Sequence, residues 1–337
     1  MSVPRRVITL GVVGFGLAAP RAAAAHGVVT EGPPTVANLL FGWTFEPAVV
    51  IPLVASWVAW RYAVRRVNAQ HPANPVPRIR SLAFYGALVA VAVALDSGID
   101  RYDTVLFSVH MVQHLLLTLV AAPLFALSAP ITLLLRLSSP ATRRRWILPV
   151  LHSRVLRTLS FPVVSWLIFA AVMWGTHFSP IFDRSLEDPF VHDLEHLGYL
   201  AAGVLFWWPA IGPDPAPWRM SHPVRIMYVL LQMPQNTFLA VAILNVAQPL
   251  YPHYATLVRA WGPSPLNDQQ IAAGIMWLFG DLGFLAAILG LVLAWMRHEE
   301  RETGRADRRA DLAMAAIRDR EVVLADRLAD ERAAKGS

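Results

Sequence analysis

Residues 103–130 read DTVLFSVHMVQHLLLTLVAAPLFALSAP, and this stretch decides the fold. From Thr104 to Leu127 it is almost continuously apolar, long enough to cross a bilayer as a helix. His110 and His114 nevertheless sit inside it. A helix turns about 100° per residue, so the two imidazoles share one face, roughly 6 Å apart along the axis. Ionisable side chains are costly inside a membrane, and where they occur they mark function.

The rest of the chain has the same character. It is 55% hydrophobic and only 15% charged over 337 residues, with a mean hydropathy of +0.45. Repeated long apolar runs predict an all-α, polytopic membrane protein rather than soluble domains. Seven spans are expected, at 47–63, 81–95, 104–127, 162–178, 189–208, 223–244 and 270–296. Before them, Arg5 and Arg6, the apolar run Val7–Ala19 and the small residues Ala22–Ala25 form a signal peptide over residues 1–25. The expected organisation is that signal peptide, a seven-span membrane domain over 26–297 and a charged, helical tail over 298–337.

Charge orients the bundle. Arg61, Arg65, Arg66, Arg78 and Arg80 follow the first span, Arg136, Arg143, Arg144, Arg145, Arg154 and Arg157 follow the third, and Arg297 follows the seventh. By the positive-inside rule those ends are cytoplasmic, which puts the mature N-terminus outside and the C-terminus inside. The basic excess therefore answers to membrane lipid and topology and gives no sign of nucleic-acid binding. The loop 131–160, rich in Leu and Arg, is expected on the anionic inner leaflet.

On that map His110, His114, His177, His192 and His196 fall in the outer half of the bundle, on three helices. A single membrane histidine is more simply an interhelical hydrogen bond. Two i, i+4 pairs at one depth point to a metal site, because each pair can turn both rings toward one ion. The chain has no cysteine, which removes thiolate sites, disulfides and CxxC redox chemistry. Imidazole with optional thioether from Met173, Met233 or Met276 suits copper in an oxidising compartment. Zinc would accept the same rings, and haem held by two of them is the competing reading. His26, beside the cleavage site, could add a further copper ligand but stays outside this set.

His192 to His196 also fits the H-x-x-E-H pattern of inverted zinc peptidases. It opens a membrane span with no soluble catalytic domain around it, so Glu195 is better read as a carboxylate that orients or charge-balances an imidazole. There is no nucleophile triad and no phosphate-binding glycine loop, and no enzymatic turnover is expected. Asp281, near mid-membrane in the last span, is either an ion relay or an interhelical contact. Asp268 either attracts cations at the outer mouth or starts its helix.

The run from His110 through Gln113 and His114 to Leu117, followed by Ala122-Pro123-Leu124 and Ala129-Pro130, resembles the polytopic CtaG-type cytochrome c oxidase assembly factors. The likeness continues in His192-x-x-Glu195-His196, Gly203-x-Leu205-Phe206-Trp207-x-Pro209 and Pro249-Leu250-Tyr251-x-x-Tyr254. Asp268-Gln269-Gln270, Gly274 and Met276-Trp277 extend it to the last span. It implies a seven-span protein of the bacterial inner membrane that helps mature a haem-copper oxidase by handling copper for the catalytic subunit. Oxidase subunits and a copper donor protein would be its partners. A copper-binding metallochaperone is thus the expected function, with a haem-binding electron-transfer protein and a metal transporter as alternatives from other classes.

Overall fold

The computed structural model describes residues 32–335. The expected signal peptide and His26 lie outside those residues. Every regular element among them is helical. The chain divides into two units, one ending at Ala287 and the other beginning at Ile288.

Among the described residues, five helices are long and apolar enough to cross a membrane: Pro47–Gln70, Arg78–Tyr102, Phe107–Leu137, His222–Leu244 and Pro265–Glu321. A sixth span arises if Pro162–His177 and Pro180–Glu187, bent by 69°, count as one. The sequence led us to expect seven. All seven expected segments are helical, but two differ from the expectation for identifiable reasons. Pro162–His177 has only 16 residues, because Pro180 disfavours the α conformation at Ser179 and the chain turns there. Pro189–Ile211 is long enough at 23 residues. Its His192, Asp193, Glu195 and His196 dilute the apolar character that a lone lipid-crossing helix needs.

The outward faces of the helices carry Ile51, Val54, Val89, Val163, Leu167 and Leu278, all more than half exposed. Such a contiguous apolar exterior belongs in lipid, and the chain is a membrane protein. Inside, Trp60 stacks on Phe84 with ring centroids 4.0 Å apart and anchors a cluster with Val67, Leu88 and Leu133.

The segment opened by Phe107 is the centre of the first unit, and it is not a plain α-helix. Phe107–Leu115 is α, Leu116–Ala121 widens to a π turn, and Ala122–Ser128 returns to α. Pro123 explains part of this, since it brings no N–H. In π spacing the missing donor would have served the Thr118 carbonyl. Trp207 Nε1, from the Pro189–Ile211 helix, donates to that oxygen instead, at 2.8 Å. A buried wall residue thus replaces a lost backbone bond and locks the two histidine-bearing helices together. Ala129, at φ 58°, breaks the helix before Pro130, and the Asp214 carboxylate then accepts from the backbone N–H of Ile131 and Thr132 to cap the next helix.

The N-terminus of the His110 helix is held from across the bundle. Asp268 accepts from Phe107 N–H at 2.6 Å and from Ser108 Oγ at 2.5 Å. Asp268 is therefore a capping residue, as one of the two expectations had it, but it caps a different helix from its own. Asp281 resolves as an interhelical contact, with Asn236 Nδ2 donating at 3.1 Å and Thr237 Oγ1 at 2.8 Å.

Helices continue between Pro130 and Leu159 as short pieces, and Trp146, Val150 and Val155 are exposed there beside the arginines. In the second unit the backbone stays helical to Lys335, with Leu312 and Ile317 exposed.

Candidate metal centre

The five expected histidines are all buried, at 0–2% exposure. Three converge: candidate ligand nitrogens of His110, His114 and His196 all lie within 4.8 Å of one another. His110 Nε2 and His114 Nε2 are 2.8 Å apart, as the one-turn spacing required. The second pair is divided. His196 joins that trio, whereas His192 groups with Asp103 and His110, again within 4.8 Å. A peptidase-like site would put His192 and His196 on one ion, and neither group contains both. His177 belongs to neither group; its ring centroid is 6.1 Å from that of His114.

Hydrogen bonds assign the tautomers around the trio. Gln113 Nε2 donates to the Ala94 carbonyl at 2.9 Å, which turns its Oε1 toward His196. His196 Nε2–H therefore donates to Gln113 at 2.9 Å, and Nδ1 carries the ring's lone pair. Tyr254 donates its hydroxyl proton to the Asp103 carbonyl at 2.6 Å and so accepts from His110 Nδ1, 3.4 Å away. His110 Nε2 is then the lone-pair nitrogen, receiving the proton of His114 Nε2. Tyr251 donates to the His177 carbonyl at 3.1 Å. Burial pushes both phenols well above their usual range, so each keeps the proton it donates.

The trio is thus built as metal-binding histidines commonly are, with the far nitrogen of a ring tied to a fixed acceptor. One buried nitrogen breaks the pattern, since His114 Nδ1 has no hydrogen-bond partner. Leaving such a group unmet costs about 1–3 kcal/mol.

Two carboxylates stand beside the imidazoles. Glu195 Oε2 is 3.8 Å from His110 Nε2, and Asp103 Oδ2 is 3.5 Å from His192 Nε2. Neutral imidazoles alone would bring the whole charge of a cation into a buried site. Adjacent carboxylates offset it.

Sequence reasoning placed Glu195 correctly beside an imidazole but missed Asp103, Gln113 and Tyr254. Gln113 was legible in principle as an amide inside an apolar run next to a histidine. Tyr254 was not, because its reach depends on a loop folding back 144 positions along the chain to His110. His253, after the His222–Leu244 span, donates Nε2–H to the Thr104 carbonyl at 2.8 Å and braces the entry to the His110 helix. Of the methionines singled out as soft neighbours, Met173 and Met276 line a cavity below the trio. Gln269 instead bonds backbone groups of Leu250 and Ile243.

Residues 58–298 match the family model for the cytochrome c oxidase caa3 assembly factor. Uncharacterized proteins of Mycobacterium bovis and Mycobacterium tuberculosis are each 31% identical over 289 residues, 83% of this chain and 43% of theirs. One from Mycobacterium leprae is 30% identical over 293 residues, 84% of this chain and 44% of its own. The chain therefore spans less than half the length of the curated relatives it matches. No solved structure matches it.

Proposed function

Because this chain belongs to the cytochrome c oxidase caa3 assembly factor family, we propose that it holds copper in its buried imidazole cluster and supplies a maturing haem-copper oxidase. In this reading it is a seven-span protein of the bacterial plasma membrane, N-terminus outside and C-terminus cytoplasmic. Its site lies in the outer half of the bundle, and a copper donor protein and the oxidase subunits are its partners. It performs no turnover.

The observation that carries the reading is the convergence of His110, His114 and His196 from two helices at one buried point. Three imidazoles without a thiolate favour copper among physiological ions, and zinc would be accepted in its absence. Asp103 and Glu195 supply the negative charge that lets a cation reside there, and they also make release conceivable, because protonating a carboxylate weakens the hold on the ion. Haem finds little support: His110 and His114 nitrogens 2.8 Å apart enclose no slot for a porphyrin plane.

The test is made on the oxidase. Deleting the gene is expected to leave the oxidase synthesised and inserted but low in copper, with copper-to-haem ratio as the measurement. A fully metallated oxidase in the deletion strain would remove the reading. Gln113 gives a finer prediction. Gln113→Ala removes the acceptor that fixes His196, and copper affinity of the purified protein should fall about 10–100-fold. Equilibrium competition with a chelator measures it.

A further inference from the structure

Below the trio lies a cavity, wide enough for about one water-sized guest, that the imidazole cluster does not use. Its wall includes Met111, Met173 and Met276, together with His114, His177 and Asn236. The three methionines come from three helices, Phe107–Leu115, Pro162–His177 and Pro265–Lys335, and all are buried. Only nine methionines occur in the chain, so three around one small void exceed what composition alone would place there. Methionine is the usual filler of irregular gaps. A filler closes the space it borders, whereas these three border a space that stays open.

Two of the lining residues also carry unmet imidazole nitrogens. His177 Nδ1–H donates to the Met173 carbonyl at 2.7 Å, which leaves the lone pair on Nε2. That Nε2 is buried with no hydrogen-bond partner, and so is His114 Nδ1. With His110 accepting at Nε2, the lone pair of His114 resides on Nδ1. Residues that carry two unmet imidazole acceptors and three thioethers thus line one void, with no carboxylate among the lining residues. Acids stand outside that lining, Asp281 bonded to Asn236 Nδ2 at 3.1 Å and Glu195 beside His110, the neighbour of His114.

We infer that this cavity is a second metal station, taking a soft monovalent cation, Cu(I), through methionine sulfur and the lone pairs of His114 and His177. Thioether ligands select Cu(I) over harder divalent ions. With no carboxylate in its own lining, the cavity suits a single positive charge better than a divalent ion, which would bring more charge into the bundle than its neutral ligands offset. A neutral imidazole offers one lone pair, so His114 serves either the trio through Nε2 or the cavity through Nδ1. Passage between stations breaks the bond at one nitrogen, forms it at the other and moves the ring proton to the vacated nitrogen. The copper stays Cu(I) throughout. The station is argued from its own donors, and rests on the copper reading only for the identity of the physiological ion.

The test uses Ag(I), a redox-inert analogue of Cu(I), on the full-length protein in detergent. X-ray absorption of the Ag(I)-loaded wild type should show sulfur in the first shell. The Met111→Leu, Met173→Leu, Met276→Leu triple variant should lose that sulfur and bind Ag(I) at least about tenfold more weakly. Leucine nearly conserves methionine's volume, and the single Met276→Leu variant, expected to show reduced sulfur coordination, serves if the triple variant does not fold. Zn(II) affinity, which depends on the imidazoles, should stay within about twofold in both. Silver bound only by nitrogen in the wild type, or sulfur retained in the triple variant, overturns the inference. Loss of Zn(II) binding in the wild type would instead count against the trio and leave the silver result to decide the cavity.

Discussion

His114→Ala is expected to lower copper affinity about 100-fold or more, leaving the purified protein with little copper at equilibrium. Metal-binding histidines whose outer hydrogen-bond partners alone are removed already lose 10–100-fold, and here a ring of the trio itself is deleted. His114 also stacks on Tyr199, ring centroids 3.8 Å apart, so its loss opens a hole and lowers stability in the absence of metal. The two effects separate in thermal unfolding. In the wild type, copper at 100 times Kd should stabilise the fold by about 2.7 kcal/mol. In His114→Ala that increment should fall to about 0.4 kcal/mol or less at the same copper concentration, whatever the baseline melting temperature has become. Metal analysis with visible spectroscopy on both proteins supplies the direct readout. Unchanged copper in the variant sinks the assignment of His114, and a Soret band in the wild type would transfer the site to haem.

The legibility of this site in the sequence follows from how local each relation is. The i, i+4 pairing of His110 with His114 depends only on helix pitch, and the rings meet as that pitch dictates. The same rule predicted that His192 and His196 would turn toward one ion. They lie side by side, 4.2 Å between centroids and tilted by 56°, yet divide between two groups, because ligand grouping depends on what the facing helix presents. His110 lies between them in this sense, sharing a group with each. Spacing along one helix cannot reveal that.

Asp268 makes the same point for the fold. Its position near the start of a helix made a local cap a sound reading. The structure spends the carboxylate on Phe107 and Ser108, 161 and 160 positions away, so the intervening run of helices has to be placed before the contact exists. The difference between seven expected spans and the five or six helices that are long and apolar enough has a related reason. The helix Pro189–Ile211 carries the site's own polar residues, and a functional face lowers the very hydropathy by which a span is recognised.

Gly203, two helical turns beyond His196, sits at the close approach of the two histidine-bearing helices. A Cβ placed there would stand 2.9 Å from the Cβ of Ala122 and 3.4 Å from Thr118 Cα. Both neighbours belong to the segment that carries His110 and His114, just where the π turn gives way to α-helix. Neither can yield by rotating a side chain, since one contact is to a backbone atom and the other to the first carbon of a buried alanine. Gly203→Val must therefore force the two histidine-bearing helices apart, at a cost of about 3 kcal/mol. The displacement also stretches the Trp207 bond to the Thr118 carbonyl, 2.8 Å in the native packing, and with it the register that brings His196 to His110 and His114. Copper affinity should fall along with stability, although no ligand is altered. Gly198, on the same helix and closer in sequence to the site, is the control. A Cβ there meets nothing within 4 Å, so Gly198→Ala should be neutral or gain up to about 1 kcal/mol from helix propensity. Thermal unfolding and chelator competition on both variants measure the contrast. Equal behaviour of the two glycine variants would show that the helices are not held at this contact, and that the imidazole trio owes its geometry to something other than their close approach.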